Sequence, residues 1–206
     1  MLACRAALAA ALAAAVSCGC ASMEPDAPVD PSTERQILDR IEKMGTLRGV
    51  ELEENIRMLG EFLGGISVPY MVDALRSHGN PKVRGGVASS LGVSQDGRAV
   101  QALADAAAGD SDTGVRLTAA YSLLLFRDAR GFPILFEALR SDDPMRRRVG
   151  IDRLRELTGL DHGYEPQAAP PRREEAVARW EAWFKEVGPT GASASIRGPR
   201  RSATRQ

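Results

Sequence analysis

Apolar residues along most of the chain recur at positions i, i+3, i+4 and i+7, the spacing of one face of an α-helix. One example runs from Ile37 through Leu38 and Ile41 to Met44. Segments rich in glycine, proline, asparagine and aspartate separate these stretches, at residues 64–65, 78–81, 95–97 and 141–144. Because no stretch alternates apolar and polar residues with a period of two, the pattern predicts an all-α fold.

The helical stretches repeat along the chain. Residues 68–77 (VPYMVDALRS) and residues 132–141 (FPILFEALRS) share a proline and the sequence Ala-Leu-Arg-Ser in the same register. A third copy begins midway between them, at residues 100–108, so one period leads from Val68 to Val100. A second helix-like segment follows each copy. Such a pair cannot bury its apolar face alone, so neighbouring pairs must stack to form the core.

The pattern predicts about four helix pairs, and the first pair is degenerate. One period before Leu91-Gly92 lies Leu59-Gly60, which places a second helix of the first unit at residues 55–64. The first helix of that unit is predicted at residues 33–44.

A proline in the first helix and a polar pair at the start of the second helix complete the repeat signature. The prolines are Pro69 and Pro133, and the polar pairs are Asn80/Arg84, Asp112/Arg116 and Asp143/Arg147. Over residues 32–159 this signature resembles HEAT repeats. The resemblance implies a right-handed α-solenoid in which these polar residues form a ladder between neighbouring repeats. A short acceptor at a helix start can also cap backbone amides.

The C-terminal region, residues 160–187, differs from the repeats. A helix at about residues 172–187 carries Ala176, Val177, Trp180, Trp183 and Phe184 on one face. Since the end of a solenoid exposes apolar surface, we predict that this helix is a cap. The alternative is an aromatic ligand slot built from Tyr164, Trp180 and Trp183.

Residues 188–206 contain four arginines, no acid and one isoleucine, so they are predicted to be a disordered basic tail.

The N-terminal residues 1–20 indicate export. After Arg5, residues 6–16 form an uncharged run that is shorter than the roughly 20 apolar residues of a membrane-spanning helix, which is typical of a secretory signal peptide. Cys18 follows Ser17 and Cys20 follows Gly19, and both sites resemble a bacterial lipobox. The resemblance implies acylation at Cys18 or Cys20 and a membrane anchor. Because neither cysteine is followed by Asp, the resemblance favours the outer membrane. The alternative is ordinary cleavage near Ala21, which would give a soluble exported protein. Residues 21–31 are acidic and proline-rich and are predicted to be a solvated tether.

Composition and charge restrict the chemistry. Lys+Arg and Asp+Glu both number 27, a balance that argues against a nucleic-acid partner. All three cysteines lie in the first twenty residues, so the remaining chain holds neither a disulfide framework nor a thiolate metal cluster. His78 and His162 lie beside glycines and are predicted to be solvent-facing turn residues. Since the sequence lacks the common phosphate-binding, nucleotide-binding and hydrolase motifs, we expect a non-enzyme without cofactor or metal.

One surface row is the candidate binding site. In HEAT solenoids the second helices line the concave side, and in the third unit the solvent-facing row there is Leu117, Tyr121 and Leu125. The corresponding rows are small or polar residues in the second unit (Gly85, Ser89, Val93) and charged residues in the fourth (Arg148, Asp152, Glu156). Exposed apolar patches often mark interaction sites. The alternative is tighter packing in the middle repeat.

These features favour an anchored interaction or scaffold module that binds a protein or an envelope polymer. Because some HEAT-like proteins resemble bilin lyases, a lyase-like or other enzyme subunit is one alternative. A purely structural envelope protein without a specific partner is the other.

Overall fold

The computed structural model describes residues 29–197 of the chain, and this part consists of helices without any strand. The candidate lipidation sites Cys18 and Cys20, the signal peptide, the tether up to residue 28 and the tail from residue 198 lie outside the described residues. The α-helices are α1 (Pro31–Lys43), α2 (Gly49–Arg57), α3 (Gly64–Ser77), α4 (Pro81–Ser94), α5 (Val100–Gly109), α6 (Thr113–Leu125), α7 (Gly131–Leu139), α8 (Pro144–Thr158) and α9 (Pro170–Ser195).

The helices form two layers. The odd-numbered helices α1, α3, α5 and α7 pack side by side in one layer, and the even-numbered helices α2, α4, α6 and α8 pack in the other. Each odd-numbered helix from α3 to α7 also packs against the even-numbered helix that follows it. This arrangement is an all-α solenoid of four helix pairs, as the repeat pattern predicts.

The middle helix α6 separates two clusters of the hydrophobic core. Ala119, Ala120 and Leu123 pack with residues of α1 to α5, whereas Leu117 and Leu124 pack with residues of α7 to α9. A helix that contributes to two clusters needs apolar side chains over a wide arc. This requirement explains why α6 has more large apolar residues than α4 or α8.

The first unit begins and ends differently from its prediction. The side chain of Asp30 accepts hydrogen bonds from the amides of Ser32 and Thr33, so α1 begins at Pro31 and the predicted tether ends one residue earlier. The second helix of the unit begins at Gly49, not at residue 55, and ends in a π-helical turn at Met58–Phe62. A Cβ atom at Gly60 would lie 2.7 Å from the carbonyl oxygen of Ser90, so glycine allows this turn to approach α4.

The two members of each polar pair have different roles: the first residue caps its helix, and the arginine bonds a backbone carbonyl. The side chains of Asn80, Asp112 and Asp143 each accept a hydrogen bond from a backbone amide in the first turn of the helix they precede. These three side chains therefore cap helices, which is the second role that the sequence allowed for them.

The arginines of the polar pairs make a repeated contact of their own. Arg84, Arg116 and Arg147 each donate from Nη1 to the backbone carbonyl six residues upstream, at 2.8, 2.9 and 2.8 Å. Arg84 also reaches the next unit, where it bonds Asp110. Arg147 reaches the C-terminal region through a 2.8 Å bond from Nε to the carbonyl oxygen of Pro166.

Helix α9 continues the odd-numbered layer by packing on α7. Phe132 and Phe136 of α7 contact Trp180, Trp183 and Phe184 of α9, with ring centroids 5.6 to 6.1 Å apart. The α9 helix therefore covers the apolar surface that α7 would otherwise expose.

The region after Gly188 corrects the prediction of a disordered tail that begins there. Gly188 has a left-handed φ of 66° and kinks the chain, after which residues 189–195 are helical again. Ala192 and Ile196 are buried, and the amide of Arg197 donates to the carbonyl oxygen of Leu157 at 2.6 Å. The segment was predicted to be disordered because it is basic and contains one isoleucine, but Ala192 and Ile196 pack in the core cluster formed with α7 to α9.

Candidate functional site

A groove of about 350 Å³ opens on the layer of even-numbered helices. Three consecutive helices of this layer contribute its walls, so it follows the face on which the sequence predicts binding. The lining residues are Ser89 and Val93 from α4; Gly114, Leu117, Thr118, Tyr121, Ser122 and Leu125 from α6; and Met145, Arg146, Val149 and Arg153 from α8.

The three residues predicted as a solvent-facing row lie together at this groove, although they are not equally exposed. Leu117 is 7% exposed and belongs to the core cluster with α7 to α9. The prediction that Leu117 faces solvent is therefore wrong, and this residue follows the alternative of tighter packing in the middle repeat. Tyr121 and Leu125 are half-buried and pack against the same cluster, and each still presents part of its surface to the groove.

Tyr121 is held in place by two charged residues of α8. Its hydroxyl donates to Glu156 Oε1 at 3.0 Å, and the guanidinium carbon of Arg153 lies 4.2 Å from the centre of its ring. Arg153 also donates from Nη1 to Glu156 Oε2 at 2.8 Å, which closes a three-residue network. Burial, followed by the charge of Glu156, raises the pKa of Tyr121 to about 12. Tyr121 is thus neutral and is a fixed part of the groove wall.

The most exposed apolar groups of the groove come from α8 and were missed by the sequence analysis. Met145 is 68% exposed and Val149 is 39% exposed, and they are one helical turn apart. The solvent row of the fourth unit was predicted at Arg148, Asp152 and Glu156, one position before Val149 and Arg153. The repeat could have predicted the position of Val149, because one full period leads from Leu117 to Val149.

The charged groups that line the groove are both basic. Arg146 and Arg153 lie on the α8 wall, and the lining contains no acidic side chain. Arg153 shares Glu156 with Tyr121, and Arg146 lies 3.5 Å from Asp143, with both partners about half exposed. The groove therefore combines an apolar floor with a wall that carries two arginines, each paired with a carboxylate of the same chain.

The alternative aromatic slot is closed. Tyr164 and Trp180 are fully buried, and Trp183 is half-buried with its ring centroid 5.7 Å from that of Trp180. The Tyr164 hydroxyl donates to the carbonyl oxygen of Leu139, the last residue of α7. Because these side chains fill the contact between the C-terminal region and α7, the ligand-slot hypothesis is wrong.

His162 also differs from its predicted role as a solvent-facing turn residue. Its ring packs edge-on against Trp180, with centroids 4.4 Å apart. Burial, followed by the positive charge of Arg179, lowers the pKa of His162 below its ordinary value. The neutral ring therefore packs as part of the cap.

A second, larger cleft of about 660 Å³ lies between the turn after α6 and the end of α9. Asp128 and Arg130 at its rim bond each other at 2.7 Å.

Among residues 29–197, no group of three or more His, Cys, Asp or Glu side chains is arranged to hold a metal ion. In the same part of the chain, no helix has both the length and the apolar character needed to cross a membrane.

Comparison with known proteins finds a match to a family model over part of the chain. The family model for HEAT repeats matches residues 68–155, which include α4 to α7 and most of α3 and α8. Together with the layered helix pairs, this match supports a HEAT-repeat helical protein. HEAT repeats generally mediate protein–protein interaction or scaffolding. No curated protein and no solved structure matched the chain.

Proposed function

We propose that this chain is a non-catalytic interaction module that binds a partner protein in the groove between α4, α6 and α8. The observation that carries the proposal is the exposure of Met145 and Val149 beside the apolar residues of α6. Folding alone does not favour apolar side chains in solvent, and contiguous exposed apolar surface is typical of interaction sites. The general role of HEAT repeats in protein–protein interaction supports this proposal.

We further propose that the module is exported and anchored to a membrane as a lipoprotein. The short apolar run at residues 6–16 and the lipobox-like surroundings of Cys18 and Cys20 support this localisation. Mass spectrometry of the mature N-terminus tests it, and we expect a diacylglyceryl modification on Cys18 or Cys20. An unmodified N-terminal peptide that begins near Ser22 would contradict the anchor.

The groove is tested by comparing Val149→Lys with Leu38→Lys. Both residues are partly exposed valine or leucine side chains, at 39% and 46%, but Leu38 lies on α1, away from the groove. We expect Val149→Lys to reduce cross-linked partner recovered from the native envelope by at least roughly tenfold, because a buried ammonium replaces an apolar contact. Leu38→Lys should recover as much partner as the unaltered chain.

Thermal melting of both variants is the control for folding. Since each side chain is solvent-accessible, we expect each melting temperature to stay near that of the unaltered chain. Equal recovery of partner by both variants would contradict binding in the groove. Such a result would instead favour a structural envelope protein or a different surface.

A further inference from the structure

We propose that His162 is a pH-sensitive switch of the C-terminal cap, which is closed while the imidazole ring is neutral and opens when the ring is protonated. The cap, residues 160–197, packs on α7 and α8. Its opening exposes the apolar side chains of Phe132 and Phe136 on α7, which contact α9 in the closed cap. This surface is separate from the groove between α4, α6 and α8, so the switch goes beyond the proposed function.

The imidazole ring of His162 packs against both tryptophans of α9. Its centroid lies 4.4 Å from that of Trp180 and 6.1 Å from that of Trp183. Trp180 is fully buried, and its ring also contacts Phe136 of α7, with centroids 6.1 Å apart. Since His162 and Phe136 pack on the same tryptophan, displacement of the His162 ring also loosens the contact of α9 with α7.

The hydrogen-bonding groups at this contact favour the neutral ring. Among residues 29–197, neither Nε2 of His162 nor Nε1 of Trp180 has a hydrogen-bond partner, although both atoms are buried. The indole nitrogen can only donate, and a neutral imidazole with its proton on Nδ1 leaves Nε2 as an acceptor. A protonated imidazole has a donor at both nitrogens. Protonation therefore places a charged donor in a buried site where the described residues offer it no acceptor, which is costly.

The charged groups around the ring also oppose its protonation. Arg179 of α9 donates from Nε to the backbone carbonyl oxygen of His162 at 2.8 Å, and the side chain of Arg197 lies against the same turn. The carboxylate of this turn, Asp161, bonds Arg155 of α8 at 3.0 Å. Burial, followed by the charge of Arg179, lowers the pKa of His162 below its ordinary value of 6.5, and the opposing effect of Asp161 is smaller.

The direction of the pH dependence follows from this lowered pKa. In the open cap the ring lies in water and titrates near 6.5, so the open state binds more protons than the closed state. The closed cap is therefore most stable above this pH, and its stability falls as the pH decreases through 6.5 toward the folded-state pKa. The other histidine has different surroundings, because Nε2 of His78 lies 3.2 Å from Glu42 Oε1, which can accept a bond from a protonated ring.

Proton NMR of the full-length chain tests the switch, because its two histidines give two sets of imidazole signals. His78→Asn removes one set and so assigns the other to His162. We expect the His162 signals to titrate with a pKa below 6.5. We also expect the amides of Val177 and Trp180 on α9 to exchange with solvent at least roughly threefold faster at pH 5.5 than at pH 7.5, after correction for the intrinsic exchange rates.

His162→Phe is the matched variant, since phenylalanine keeps an aromatic ring against Trp180 but does not titrate. Its corrected exchange rates should be the same at the two pH values, whereas His78→Asn should behave like the unaltered chain. A His162 pKa at or above 6.5 would overturn the switch, as would a pH-dependent exchange that persists in His162→Phe. A lowered pKa without faster exchange of α9 in acid would also overturn it, because protonation would then leave the cap closed.

Discussion

Arg84 and Asp110 form an ion pair that links the second repeat to the third. Arg84 donates from Nε and Nη2 to the two carboxylate oxygens of Asp110, both at 2.7 Å. The side chains are 11% and 6% exposed, so water screens the pair weakly. The hydrogen bond from Arg84 lowers the pKa of Asp110 below its ordinary value of 3.8, although burial opposes this shift.

We expect this pair to make the free energy of unfolding depend on pH. Because the folded-state pKa of Asp110 is lowered, the stabilisation is fully present above the unfolded-state value and is lost as pH falls through the folded-state pKa. Asp110→Asn should therefore lower the free energy of unfolding at pH 7 by about 3 kcal/mol. The loss should be smaller near pH 3, as measured by urea denaturation.

Asp152→Asn is the control for this experiment. Asp152 is paired with Arg148 at 3.0 Å, but both side chains are more than half exposed. An exposed pair contributes about 0–1 kcal/mol, so this variant should differ little from the unaltered chain at either pH. An equal effect of the two substitutions would contradict a special role for the Arg84–Asp110 pair.

The arginines were predictable from the sequence, whereas the acceptor Asp110 was not. Arg84, Arg116 and Arg147 recur with the repeat and were found by that recurrence. The residue one period before Asp110 is His78, so no repeated carboxylate marks the position. The sequence instead offered Asp112, which is closer to Arg116 but caps α6.

At the scale of elements, α9 closes the solenoid through several kinds of contact. Arg140, at the end of α7, donates to Glu174 and Glu181 of α9 at 2.7 Å. The aromatic contacts of α7 with α9 and the hydrogen bond of Tyr164 add to this link. The short helix after Gly188 then returns to α8 through the bond between Arg197 and Leu157. The C-terminal cap thus extends to residue 197.

Three truncations test this extended cap. Deletion of residues 198–206 should leave the melting temperature unchanged, since the chain retains Ile196 and Arg197. Deletion of residues 188–206 should lower it by about 5 °C, because the burial of Ile196 contributes about 1.5–3 kcal/mol. Deletion of residues 172–206 should lower it further and cause aggregation, because Phe132 and Phe136 become exposed.

Calorimetry and light scattering measure these effects. If the chain that lacks residues 188–206 melts like the chain that lacks residues 198–206, the packing of Ala192 and Ile196 does not stabilise the fold. If the longest truncation melts like the intact chain, α9 is not a cap.

At the scale of the whole molecule, the repeat pattern predicted the helix pairs because stacking requires similar apolar faces in every unit. It did not predict the groove, because a groove depends on the offset between neighbouring helices. In the fourth unit, the arginine of the polar pair lies one position earlier than the repeat predicts. One full period from Arg116 leads to Arg148, but it is Arg147 that donates to the backbone carbonyl six residues upstream. The groove residues Leu117 and Val149 keep the full period. One position on a helix is enough to exchange a charged row for an apolar one.

Photo-cross-linking from Met145 tests the proposed binding groove most directly. Met145 is exposed and borders the apolar floor, so a benzoylphenylalanine at this position can react with a bound partner without disturbing the core. In cells that produce the protein, we predict one dominant covalent adduct from position 145 and none from position 38 on α1, with unchanged melting of both proteins. The absence of an adduct from position 145, or the same adduct from both positions, would contradict binding in the groove.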